Sequence, residues 1–221
     1  MSEHLLRQSR GYFTVLAAYA ALWSDIFLGL PMPAAFSFLW FLTVISKNVL
    51  RLLCLVWLNR WLGEEQAPWA RELRTMPSLA VLRQSLRAAL ASLGIAGIGA
   101  VMLHFMKVSN PLFSSRLPLG PLAMLPLALL SGISVGYIEE AFFRFFMPLA
   151  LVEAGIPLRS ADLASILAFA AAHYAQGWYG IAFAACIALL YTRLREQGYG
   201  LHALALGHAA YDASILMLAA L

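Results

Sequence analysis

A chain of 221 residues with 62% hydrophobic residues, 12% charged residues and a net charge of +4 has about half the charge of a soluble domain, in which roughly 25% of residues are charged. With a mean hydropathy of +0.78 and two cysteines, it is excluded as a water-soluble globule, a disordered chain, a disulfide scaffold or a nucleic-acid module. Each of those needs more charge, more cysteine or a clustered basic face. What remains is an all-α polytopic membrane protein, with the lipid bilayer as its environment and no nucleic-acid partner.

A transmembrane helix takes roughly 20 apolar residues. Runs of that kind, bounded by charge, Gly or Pro, predict about seven spans, at 12–30, 34–59, 88–106, 121–152, 162–177, 179–194 and 200–220. The first follows Arg7 and Arg10 without a small-residue cleavage signal, so it reads as a retained span and not a signal peptide. Between the second and third spans, 61–87 mixes Trp61, Trp69, Leu73, Leu79 and Leu82 with arginines. That segment reads either as an amphipathic helix on the inner leaflet or as a solvated linker. The organisation expected is a region 1–120 of three spans plus this segment, then a core 121–221 of four spans. Basic residues mark cytoplasmic loops. An N-terminus inside collects Arg7, Arg10, Arg60, Arg71, Arg74, Arg83, Arg87, Arg159, Arg193 and Arg195 on one side and leaves only Lys107 and Arg116 outside. Cys54 and Cys186 lie in apolar runs and read as small core residues.

Ionisable residues within a span cost roughly 2.5–3.5 kcal/mol each at the helix centre and default to functional hypotheses. Asp25, Lys47, Arg51, Glu139, Glu140, Arg144, Asp212, His104, His173, His202 and His208 all qualify. Asp25, Lys47 and Arg51 read as a buried ion-pair set between the first two spans, and His104 and His202 as structural or interfacial. Glu140 and Arg144 are four apart and share a helix face, leaving Glu139 pointing about 100° away. Phe169 and His173 repeat the interval, as do His208 and Asp212, so that this carboxylate can orient the imidazole or share a ligand with it. Counted at 1.5 Å per residue, Glu139, His173 and His208 each lie roughly 15 Å from the cytoplasmic ends of their spans. Ser131, Ser134 and Ser165 read as helix-packing or locally bonded groups, and Gly132-x-x-x-Gly136 as a close helix contact. No GxSxG, HExxH or P-loop is present.

Taken in order, Glu139-Glu140-x-x-x-Arg144, Phe169-x-x-x-His173 and His208-x-x-x-Asp212 resemble the three-motif pattern of the CPBP (Abi) family of glutamic-type intramembrane proteases. That family includes the type II CAAX prenyl endopeptidases. The resemblance covers about the last hundred residues and implies an endopeptidase of a bacterial inner membrane, acting without a cofactor on a peptide or membrane-protein substrate, in C-terminal sorting-tail removal or peptide maturation. It implies that Glu139 is the general base, that His173 helps hold the water, and that His208 with Asp212 receives the carbonyl oxygen. Glu140, Arg144 and Phe169 would support them. Asp212 stands where the prenyl endopeptidases typically carry Asn. Either it is itself protonated, or it orients His208 and leaves the imidazole as the donor. Zinc held by Glu139, His173 and His208 is the mechanistic alternative. A proton-coupled transporter and a non-catalytic scaffold or bacteriocin-immunity protein are the functional ones.

Overall fold

Lipid offers the backbone no partner, so a chain this apolar must close its hydrogen bonds within helices. The computed structural model describes residues 3–61, 67–108 and 120–219, and every regular element in them is helical. The elements are α1 (Glu3–Phe27), α2 (Phe38–Trp61), α3 (Pro68–Glu72), α4 (Leu79–Phe105), α5 (Pro121–Glu140), a π-helical turn (Ala141–Phe146), α6 (Met147–Glu153), α7 (Leu158–Ala172), a 3-10 turn (Tyr174–Gln176), α8 (Gly177–Glu196) and α9 (Leu201–Ala219). Arg116, expected on the outer side, and residues 62–66 lie outside the described residues.

Among the described residues, five helical stretches are long and apolar enough to cross a membrane, Phe38–Trp61, Leu79–Phe105, Leu122–Glu153, Tyr174–Glu196 and Leu201–Leu218. The other two expected spans correspond to α1 and α7. The 15 residues of α7 cover about 22 Å, short of the roughly 30 Å hydrocarbon core. The 25 residues of α1 have the length, but charged residues at both ends dilute their apolar run.

The segment 61–87 is not one amphipathic helix. Pro68 opens the short α3 and Pro77 prevents its continuation, since proline removes a helical N–H. Trp69 of α3 is buried at 1% exposure, packed into the bundle and not laid on a leaflet. Residues 79–87 are the first turns of α4, capped by Ser78, whose Oγ accepts from the Val81 N–H. Cys54 and Cys186 are likewise not core residues, because both are exposed. In a bilayer the outward face is as apolar as the interior, so an apolar context does not separate the two.

Two glycines allow a close approach between α5 and α9. A Cβ on Gly132 would stand 2.6 Å from the Ala209 carbonyl oxygen, and one on Gly136 would stand 2.4 Å from that of Ala205. Helices α5 and α9 therefore touch backbone to backbone, as small residues permit. On its other side α9 brings Gly207 against Ala88 and the Ser85 carbonyl of α4. Helix α1 lies along α6 and α7, with Gly11 against Ala150 and Ala154 and Tyr19 Oη donating to the Ala168 carbonyl at 2.7 Å. Helices from 1–120 and 121–221 thus pack directly on one another. Gly136→Ala is expected to destabilise detergent-purified protein by about 1–3 kcal/mol through overpacking. Gly94→Ala, where nothing stands within 4 Å of the added Cβ, should leave the thermal midpoint unchanged or raise it slightly.

Candidate active site

The site forms where a long helix changes pitch. Pro148 has no N–H, so the Arg144 carbonyl four residues earlier loses its helical donor. The Met147 N–H reaches back five residues to the Phe142 carbonyl, which leaves the Phe143 carbonyl free as well. Both oxygens find side chains from neighbouring helices. Ser165 Oγ of α7 donates to Phe143 O, and Arg195 Nη1 of α8 donates to Arg144 O at 2.7 Å. Arg195 Nη2 also donates to both Asp162 oxygens, at 2.8 and 2.7 Å. Of the two expected roles, Ser165 takes the one between helices, whereas Ser134 donates locally to Ser131 O at 2.8 Å. π-turns of this kind recur at functional sites.

Directly before this turn stand Glu139 and Glu140. Glu140 has no exposed surface. Its Oε1 accepts from His208 Nδ1 at 2.8 Å, and its Oε2 lies 3.2 Å from Arg144 Nε. The Arg144 guanidinium carbon lies 4.7 Å from the Phe169 ring centroid, within cation–π range. The same ring has His173 as a neighbour, at 4.7 Å between centroids. Phe169 is thus in contact with both a cation and an imidazole of the site. His173 Nδ1 donates to the Phe169 carbonyl at 2.9 Å, which leaves Nε2 as its available nitrogen.

With Nδ1 of His208 committed to Glu140, Nε2 faces two further carboxylates. Glu139 Oε2 lies 3.7 Å from it and Asp212 Oδ2 3.6 Å. The spacing allows two arrangements for His208 and Asp212, orienting partner or shared ligand, and both keep Asp212 beside Nε2. Nδ1 is held by Glu140 from α5, a contact between helices that spacing within one motif does not reveal. Glu139 Oε2 has no hydrogen-bond partner among the described residues. His173 lies close enough for its charge to interact with those of His208 and Asp212. Tyr191, which sequence reasoning missed as a lone tyrosine in an apolar run, forms the back wall. Its ring is 5.7 Å from that of His208, and its hydroxyl accepts from Ser92 Oγ at 3.3 Å.

All seven motif residues therefore meet at one place, and the other candidates do not. His202 ties α9 to α5 and to the α3–α4 connection, with Nδ1 2.6 Å from Tyr137 Oη and Nε2 3.1 Å from Thr75 O. His104 is exposed near the end of α4. Asp25, Lys47 and Arg51 form the expected ion-pair set, with Lys47 Nζ 2.7 Å from Asp25 Oδ2 and Arg51 Nη2 on Asp25 Oδ1. Among the described residues no group of three His, Cys, Asp or Glu side chains is arranged to hold a metal ion.

A helical membrane bundle with acids and imidazoles buried at its centre defines the class as an integral membrane protein with an enclosed polar site. Residues 120–214 match the family described as Type II CAAX prenyl endopeptidase Rce1-like, a stretch that contains every motif residue. That stretch, less than half of the chain, is similar to this family of membrane proteases. No curated protein and no solved structure matches the chain.

Removing one member of a buried ion pair costs about 3–5 kcal/mol because the other charge is left without compensation. Arg144→Met should accordingly lower the thermal midpoint sharply. The double substitution Arg144→Met with Glu140→Gln should recover part of the loss, and a double-mutant cycle on purified protein reads the coupling.

Proposed function

We propose that this protein is a glutamic-type intramembrane endopeptidase, in which Glu139 activates a water molecule for attack on a peptide carbonyl. The observation that carries this reading is the arrangement around His208: one nitrogen fixed by Glu140, the other facing Glu139 and Asp212 at 3.7 and 3.6 Å. Polar separations of that length suit a small molecule lodged between the groups.

The chemistry follows from those positions. A water between Glu139 and Nε2 of His173 gives a proton to the Glu139 carboxylate as its oxygen bonds to the carbonyl carbon. His208, as an imidazolium, donates Nδ1–H to Glu140 and Nε2–H to the oxygen that gains charge, with Asp212 beside it as counter-charge. Glu139 then returns its proton to the amide nitrogen, the C–N bond breaks, and a carboxylic acid and an amine leave. Glu140 acts as a positioning residue for His208, and Arg144 for Glu140. We read the N-terminus as cytoplasmic, which the distribution of Arg and Lys among the segments between the expected spans supports.

No step requires a metal. Turnover is expected to survive 1,10-phenanthroline, and chelator-sensitive activity restored by zinc would transfer the water to a metal site.

In reconstituted protein, Glu139→Gln should lower cleavage of a fluorogenic apolar peptide library about 10²–10⁴-fold, the usual worth of general base catalysis, without moving the thermal midpoint. His173→Ala should fall in the same range. Undiminished cleavage by the Glu139 variant would remove the mechanism.

A further inference from the structure

A second charged cluster adjoins the site, and the hydrolytic chemistry leaves it unused. Asp25 closes the last turn of α1, and Lys47 and Arg51 lie one turn apart on α2. Both cations bond the same carboxylate, Lys47 through Nζ at 2.7 Å and Arg51 through Nη2. Arg51 Nη1 donates to Asn48 Oδ1 at 3.1 Å. The guanidinium lies 5.3 Å from the Trp23 ring, whose centroid is 4.6 Å from that of Phe142 and 4.8 Å from that of Phe143. Those phenylalanines follow Glu139 by about one helical turn, and Arg51 is within electrostatic range of Glu139 without bonding to it.

Two cations share one acid, so the cluster carries a surplus positive charge in a setting where uncompensated charge is costly. Glu139 is near enough to offset it, yet its Oε2 faces His208. The cluster is also not sealed: the Lys47 and Asp25 side chains retain 28% and 21% exposure, against 10% for Arg51. An ammonium has three donors, of which Asp25 takes one. Together these features describe a receptor lacking one carboxylate, located beside Glu139, the base that activates the attacking water in the proposed mechanism. Asp25, Lys47 and Arg51 all lie outside the stretch 120–214 that matches the family.

We propose that Lys47 and Arg51 form a subsite for a carboxylate of the substrate peptide, either its free C-terminus or an acidic side chain near the bond that Glu139 cuts. The proposal rests on the peptidase reading, and it makes the region before residue 120 a determinant of specificity. Asp25 holds the two cations at one spacing, and Arg51 is braced by Trp23. Lys47, the more exposed cation, makes the first contact.

Binding separates this proposal from catalysis. The full-length Glu139→Gln protein in detergent is titrated with an N-terminally fluorescein-labelled apolar octapeptide as the free acid and as the C-terminal amide. A second pair of amidated octapeptides differs only by Glu or Gln at an internal position. One of the two pairs should show about ten-fold or stronger preference for the carboxylate form, as expected for hydrogen bonds to charged groups, and the pair that does so identifies its source. Adding Lys47→Gln should abolish that preference, and Lys47→Arg should keep most of it. Equal binding within both pairs overturns the proposal, whatever the folding of the Lys47 variants. So does a preference that persists in a folded Lys47→Gln protein. A carboxylate preference in a protein whose Glu139 form cuts no peptide would sink the peptidase reading and leave the anion subsite standing.

Discussion

Glu140 has no contact with solvent, and yet it is the residue through which the halves of the site are joined. Its two oxygens face different helices: one accepts from His208 of α9, the other stands against Arg144 one turn along its own chain. A carboxylate so enclosed is tolerated only with both neighbours in place. Arg144 in turn makes no hydrogen bond through its guanidinium among the described residues. Its charge is answered by Glu140 and by the face of Phe169. That dependence runs on to His173, whose ring packs at a tilt against the same phenylalanine. Helices α5, α7 and α9 are thereby committed to one arrangement by charge, and the small-residue contact of Gly132 and Gly136 with α9 allows the close approach that the charge requires.

The pitch change after Glu140 shows how the backbone is brought into the same scheme. In lipid an unbonded carbonyl is expensive, and Pro148 together with the five-residue reach of Met147 creates two of them. Ser165 and Arg195 take one each, so an irregularity in one helix becomes the attachment point for two others. The bidentate contact of Arg195 with Asp162 links α7 to α8 at the same level. Widening the turn here changes where Arg144 projects, and Arg144 is the residue that must reach both Glu140 and Phe169.

What could be read from sequence, and what could not, divides along the range of each interaction. The three intervals of four residues were legible because helix geometry alone brings such pairs together, and the seven residues do converge. The glycine spacing was legible for the same reason. The bond from Glu140 to His208 was not, because 68 positions separate the partners and neither motif contains the other's address. Asp212 was the nearer candidate by spacing and proved to face the other nitrogen. The outward placement of Cys54 and Cys186 was invisible because lipid and core select the same apolar residues. Segment 61–87 carried its correction in Pro68 and Pro77, whose breaking effect outweighs the amphipathic pattern around them.

The site and the Asp25 cluster differ in how their charges are balanced, and the difference bears on how rigid each must be. Around His208 the acids outnumber the fixed cations, and the ring has defined neighbours on other helices and its own: Glu140 on one nitrogen, Glu139 and, from the same helix, Asp212 on the other, and Tyr191 against the ring. Such an arrangement needs no reorganisation when charge develops on a reacting oxygen, which is the condition under which fixed dipoles and charges stabilise a transition state most effectively. Around Asp25 the cations are in excess and one of them remains partly open. The wall between the two is aromatic, built from Trp23, Phe142 and Phe143, and its low polarity strengthens the fields on both sides. A bundle that buries charge on this scale does so at the expense of stability. The arrangement is intelligible if one charge set is held ready for a reaction and the other is left one anion short.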